Sequence, residues 1–145
     1  MTQIPNSKSC FVCGLDNPNG LRLTFHSGED HVWAEFIPQS WMVGYENVIH
    51  GGLISTVLDE VVIWTAFQST GRFAVTAELK VRFRKPLHLG DRVTVQGKFK
   101  EDRSRLWIVT AEMIHQEGYK IADAEARLMP LNQQDSDAFR QALYS

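Results

Sequence analysis

Asn47-Val48-Ile49-His50-Gly51-Gly52-Leu53-Ile54-Ser55-Thr56-Val57-Leu58-Asp59-Glu60-Val61-Val62-Ile63-Trp64 is the stretch that decides the fold. Two glycines follow a histidine and open an apolar run that carries only two charges, Asp59 and Glu60. At 100° per residue, Gly52, Ser55, Thr56, Ile63 and Ala66 fall within about 60° of Asp59, while Ile54, Val57, Val61 and Trp64 fall on the far side. The pattern predicts a helix over 52–68 that stops near Gly71. One carboxylate then shares a face with the open helix start, and most of the rest asks to be buried.

That arrangement suits attack on a carbonyl. The first amides of a helix lack intrahelical acceptors and sit at the positive end of its dipole. Glycine lets a ligand approach them closely. An oxyanion on the Gly51 and Gly52 amides would be stabilised, and Asp59 on the same face could attack the carbonyl or activate a water. Glu60, turned about 100° away, is the rival carboxylate. Ser55 and Thr56 are expected to bond the helix backbone.

Outward from the helix the chain reads as strands. Leu21-Arg22-Leu23-Thr24-Phe25 and Val32-Trp33-Ala34-Glu35-Phe36 alternate apolar and polar residues around Ser27-Gly28-Glu29-Asp30, which predicts a hairpin. Residues 38–47 read as a loop holding Trp41, Met42 and Tyr45. After the helix, Phe73, Val75, Ala77, Leu79, Val81 and Phe83 are expected on one face of a long strand. Thr76, Glu78, Lys80, Arg82 and Arg84 are expected on the other. Three more strands follow, turning at residues 102–105 and at Gly118. Residues 135–144 have helical spacing. Two strands, one long helix and four meandering strands make an α+β fold, an antiparallel sheet wrapped around a central helix.

Composition bounds the rest. A chain of 145 residues with 43% hydrophobic and 22% charged residues is read as one domain over 1–145, with a lead-in over 1–20 and a surface helix over 133–145. A net charge of -2 makes no electrostatic case for nucleic acid or an anionic membrane. With no signal-like start and no spanning run, the expected location is cytoplasmic. Cys10 and Cys13 supply two of the four ligands of a structural zinc and no second pair exists, so no metal is expected.

The helix motif resembles that of the hotdog-fold acyl-CoA thioesterases, in particular the phenylacetate-pathway (PaaI-like) and THEM-type branch. There a His-Gly-Gly turn opens the central helix and a carboxylate nine residues after the His is catalytic. Cys10-Phe11-Val12-Cys13-Gly14 with Asn17-Pro18-Asn19-Gly20-Leu21 resembles the N-terminal signature of some members, and Thr76 to Phe83 their long strand. The resemblance implies a hotdog fold, a homodimer or homotetramer with sites at the subunit interface, and hydrolysis of an acyl-CoA. It implies Asp59, Gly51, Gly52 and His50 as site residues, with Thr76 supplied by the partner subunit. Some relatives carry Asn six residues before the His, where this chain has Gly44. CoA would be part of the substrate and no separate cofactor is implied. Its phosphates need cations, for which Arg82, Arg84 and Lys85 are the candidates, then Arg103 and Arg105. A hotdog hydratase or dehydratase and a non-catalytic acyl-CoA-binding module are the alternatives.

Overall fold

The apolar run forms helix α1 (Gly51–Thr70), one residue longer at its start and two at its end than the pattern predicts. The computed structural model describes residues 2–144. Gly71, at φ 76°, caps the helix and ends it. Val57, Leu58, Val61 and Val62 are wholly buried. Cutting Leu58 back to Ala would cost about 2–5 kcal/mol in lost transfer energy and cavity. Asp59, Ser55, Thr56 and Ile63 are only half-buried, as the face assignment requires. Ala66 departs from it: it is fully buried, because α1 lies against the sheet along most of its length.

The sheet has seven strands in the order β1-β2-β3-β5-β6-β7-β4, with every pair antiparallel. These are β1 (Thr2–Gln3), β2 (His26–Ser27), β3 (Val32–Phe36), β4 (Ala74–Phe83), β5 (Val93–Asp102), β6 (Trp107–His115) and β7 (Lys120–Pro130). Helix α1 packs on β3 through β7, which is the expected hotdog architecture. No helix among the described residues is long and apolar enough to cross a membrane.

Three local expectations change. The first hairpin strand shrinks to His26–Ser27. Arg22 takes a left-handed φ of 54°, and the Leu21 and Leu23 amides bond instead to the Phe11 and Val12 carbonyls. Leu21, Leu23 and Phe25 still face the core, so alternation marks burial here without strand pairing. The last helix, α2 (Gln133–Arg140), is shorter than its spacing suggests. Beyond it the chain returns to the lead-in, with the Lys8 amide bonded to Ala142 and the Tyr144 amide to Asn6.

The third change bears on function. In β4 the register slips between Thr76 and Glu78, where Thr76 faces Leu128 and Glu78 faces Arg127 of β7. The extra residue of such a bulge reverses the alternation beyond it. Thr76 therefore joins the half-buried Leu79 and Val81 on the helix side rather than opposing them. β4 is also last in the strand order, so one of its ten-residue edges has no partner strand among the described residues.

Candidate active site

Helix α1 starts with its amides partly committed. The His50 backbone enters extended, at φ -61° and ψ 132°, and its ring Nδ1 accepts the Gly52 N–H at 2.9 Å. The Leu53 N–H bonds to the His50 carbonyl. The Gly51 N–H finds no acceptor among the described residues, so the pair of donors expected from the sequence reduces to Gly51. Because Nδ1 accepts, the neutral His50 ring carries its proton on Nε2, and His50 is exposed. A Cβ at Gly52 would lie 3.0 Å from Nδ1, so that glycine leaves room for the cap.

The loop before the helix holds His50 in place. Met42, in a short 3-10 turn (Ser40–Met42), is buried, and its carbonyl accepts the His50 N–H. Trp41 and Tyr45 beside it are exposed. At Gly44 a Cβ would stand 3.3 Å from both Cα and Cδ2 of His50. A side chain there would touch the histidine; in this chain the space is open. Asn47 does not fill it, because at φ 63° its carbonyl turns to accept the Leu89 amide.

Asp59 is held by Thr76, whose hydroxyl donates to Oδ1 at 2.7 Å. Both residues belong to one chain, so Thr76 orients Asp59 within its own subunit. The bulge in β4 is what turns Thr76 inward. Thr56 bonds to the Gly52 carbonyl at 2.8 Å, the backbone role expected of it.

Glu60 meets different company. The Cys10 thiol lies 3.2 Å from Glu60 Oε2, and Cys10, Cys13 and Glu60 bring their ligand atoms within 4.8 Å of one another. Burial, then charge on Cys10, pushes the Glu60 carboxyl up to about 8. Cys10 is brought down to about 5, chiefly by the hydrogen bond from the Cys13 thiol, which is raised in turn. Sequence reasoning missed this cluster, since nothing in the spacing of Cys10, Cys13 and Glu60 shows that the lead-in folds onto α1.

The candidate CoA-binding cations divide. Arg84 and Lys85 line a pocket of about 250 Å³ with Ile49, Gly51, Phe83 and Leu87, at the helix start. Arg84 is paired with Asp123 at 2.9 Å, and the Lys85 ammonium sits 4.7 Å from the centre of the Tyr119 ring. Arg82 is not brought to this pocket. It lies on the outer face of the sheet with Lys80, Lys98 and Lys100, because β4 alternates and Phe83 takes the inward position. Arg103 pairs with Glu101, and with Arg105 occupies the β5–β6 turn, level with the start of β4 and so at the far end of α1. Phe83 is the residue that sequence reasoning passed over: a Cβ on Gly51 would stand 3.3 Å from its ring.

Comparison with known proteins places these residues in context. The model of the thioesterase superfamily matches residues 46–122, just over half of the chain. That span holds His50, Gly51, Asp59 and Thr76 but not Cys10 or Cys13. No curated protein matches. Among solved structures, smu.793 from Streptococcus mutans UA159, bound to acetyl CoA, is similar at 24% identity and a TM-score of 0.70, over 76% of this chain and 89% of that one. The E. coli PaaI protein from the phenylacetic acid degradation operon is similar at 18% identity and a TM-score of 0.71, over 77% and 81%. Zebrafish thioesterase superfamily member 2 is similar at 17% identity and 0.71, over 81% and 89%. At these identities the likeness establishes the fold.

Proposed function

The chain belongs to the thioesterase superfamily, and on that premise we propose that it hydrolyses an acyl-CoA to a free acid and CoA. The observation that carries this reading is Asp59, a half-buried carboxylate on the central helix oriented by the Thr76 hydroxyl at 2.7 Å. In the proposed reaction Asp59 takes a proton from water, and the hydroxide adds to the thioester carbonyl carbon. The Gly51 N–H stabilises the oxyanion, assisted by the Nε2 proton of His50. Collapse breaks the C–S bond and the CoA sulfur leaves with a proton. Direct attack by the carboxylate, followed by hydrolysis of the anhydride, gives the same products.

We place two copies at each site, as the family resemblance implies. Gly51 and Asp59 are eight residues apart, a rise of about 12 Å. A carboxylate, the attacking water, a carbonyl about 1.2 Å long and the Gly51 amide, with contacts of about 3 Å between them, span about 10 Å. On that reading the carbonyl at Gly51 of one subunit meets Asp59 of another. The unpaired edge of β4, with Val75 and Phe83 exposed on that strand, supports a homodimer joined there. The CoA phosphates then fit the Arg84 and Lys85 rim, a reading supported by the acetyl CoA carried by the similar Streptococcus mutans structure.

A spectrophotometric free-thiol assay over a panel of acyl-CoAs tests the proposal. Thiol release on at least one acyl-CoA is expected. Tight CoA binding with no release across the panel would instead make the protein a binding module.

A further inference from the structure

We infer that Cys10, Cys13 and Glu60 form a site for a thiophilic divalent metal ion of the zinc class, fastening the N-terminal lead-in to the central helix. Cysteine sulfur and carboxylate oxygen are both zinc donors, at about 2.3 Å and 2.0–2.2 Å. A tetrahedral ion with those bond lengths places neighbouring donors roughly 3.5 Å apart. The three donors here lie within 4.8 Å of one another, with Cys10 Sγ and Glu60 Oε2 at 3.2 Å, so small side-chain movements close the set. Cys10 is half-buried, which leaves a side open for a water as fourth ligand.

The surrounding backbone is built to hold the turn. Asn6 is buried and its side-chain amide donates to the Cys13 carbonyl at 3.1 Å and to the Leu23 carbonyl at 3.0 Å. The Ser7 hydroxyl accepts the Cys10 N–H at 3.2 Å, and the Gly14 N–H bonds to the Cys10 carbonyl at 2.9 Å. Any side chain at Gly14 would collide with that carbonyl, so the turn that brings both sulfurs to one side requires glycine. A half-buried carboxylate beside two thiols is costly without a cation, and a bound ion with deprotonated ligands reduces the cost. The inference lies outside the thioesterase reading, since neither cysteine falls within the matched residues 46–122.

Metal content of the whole chain, and Co(II) substitution, test this. Purified under reducing conditions in zinc-supplemented buffer and then desalted, the wild type should retain about one zinc per chain. Co(II) should give the visible bands and near-ultraviolet thiolate charge transfer of a tetrahedral site. Cys13→Ser should abolish both signals, and Glu60→Gln should weaken Co(II) affinity about tenfold or more. Asp59→Asn, one residue away, should keep the metal. A wild type that retains no zinc and gives no thiolate–Co(II) spectrum would overturn the inference, whether or not the variants fold. So would a Cys10–Cys13 disulfide in place of metal under those conditions, or a Glu60→Gln protein with unchanged Co(II) affinity and spectrum.

Discussion

Asp59 and Glu60 are neighbours in sequence and carry the same functional group, yet the helix sends them to two unlike places. Asp59 faces the bulged strand and takes a single hydroxyl bond from Thr76. Glu60, about 100° further round, is pressed against two cysteines from the other end of the chain, and burial raises its carboxyl to about 8. The surroundings, more than the residue type, assign the work. A carboxylate with one oriented contact and an open side can act on a substrate. One enclosed by thiols is placed to hold the chain together or to bind an ion.

The comparison breaks most sharply at Asp59. Asp59→Asn keeps size and shape but removes the base, so kcat on the best acyl-CoA should fall by about 10² or more while the fold persists. Stopped-flow or steady-state thiol release measures it, with circular dichroism as the check on folding. Thr76→Val comes next. It removes the oriented bond to a charged group, and kcat should fall about tenfold, the equivalent of about 1.4 kcal/mol. A Thr76→Ser variant should restore most of the loss, which a packing role for Thr76 would not predict.

Smaller effects are expected around the start of α1. Gly52→Ala places a Cβ 3.0 Å from His50 Nδ1 and disturbs the ring that caps the helix. Stability should fall by about 1 kcal/mol, seen as a lowered Tm. Charge reversal at Lys85 should raise KM a few-fold, with a larger effect at low salt, because an exposed phosphate contact is screened. Arg84, already committed to Asp123, should matter less than Lys85, and Arg82 on the outer face less still. Equal effects at all three would contradict the division between Arg84 and Lys85 at the helix-start pocket and Arg82 on the outer face.

Much of the fold was legible because its signals are local and periodic. The apolar run between the His50-Gly51-Gly52 start and the Gly71 cap marks α1, and alternation marks β5, β6 and β7 close to their observed bounds. The half-buried face that Asp59 shares with Ser55 and Ile63 was legible for the same reason. Thr76 was a different matter. Strict alternation puts it opposite Leu79, and only the slip against β7, a long-range pairing, turns it toward Asp59. The cation rim shows the same limit: Arg82, Arg84 and Lys85 are close in sequence, but the strand sends Arg82 to the other face. Leu21 to Phe25 shows the converse, an alternating stretch buried without a ladder because its amides find acceptors at Phe11 and Val12. The meeting of Cys10 with Glu60 spans fifty residues and leaves no local trace.

The most direct measurement sets the two carboxylates against each other in one assay. Thiol release from the best acyl-CoA is followed for wild type, Asp59→Asn and Glu60→Gln, each verified as folded and in the same oligomeric state. The account predicts that Glu60→Gln keeps a kcat at least about tenfold above that of Asp59→Asn. A Glu60→Gln protein that is inactive beside a fully active Asp59→Asn would contradict it, and so would full activity in both.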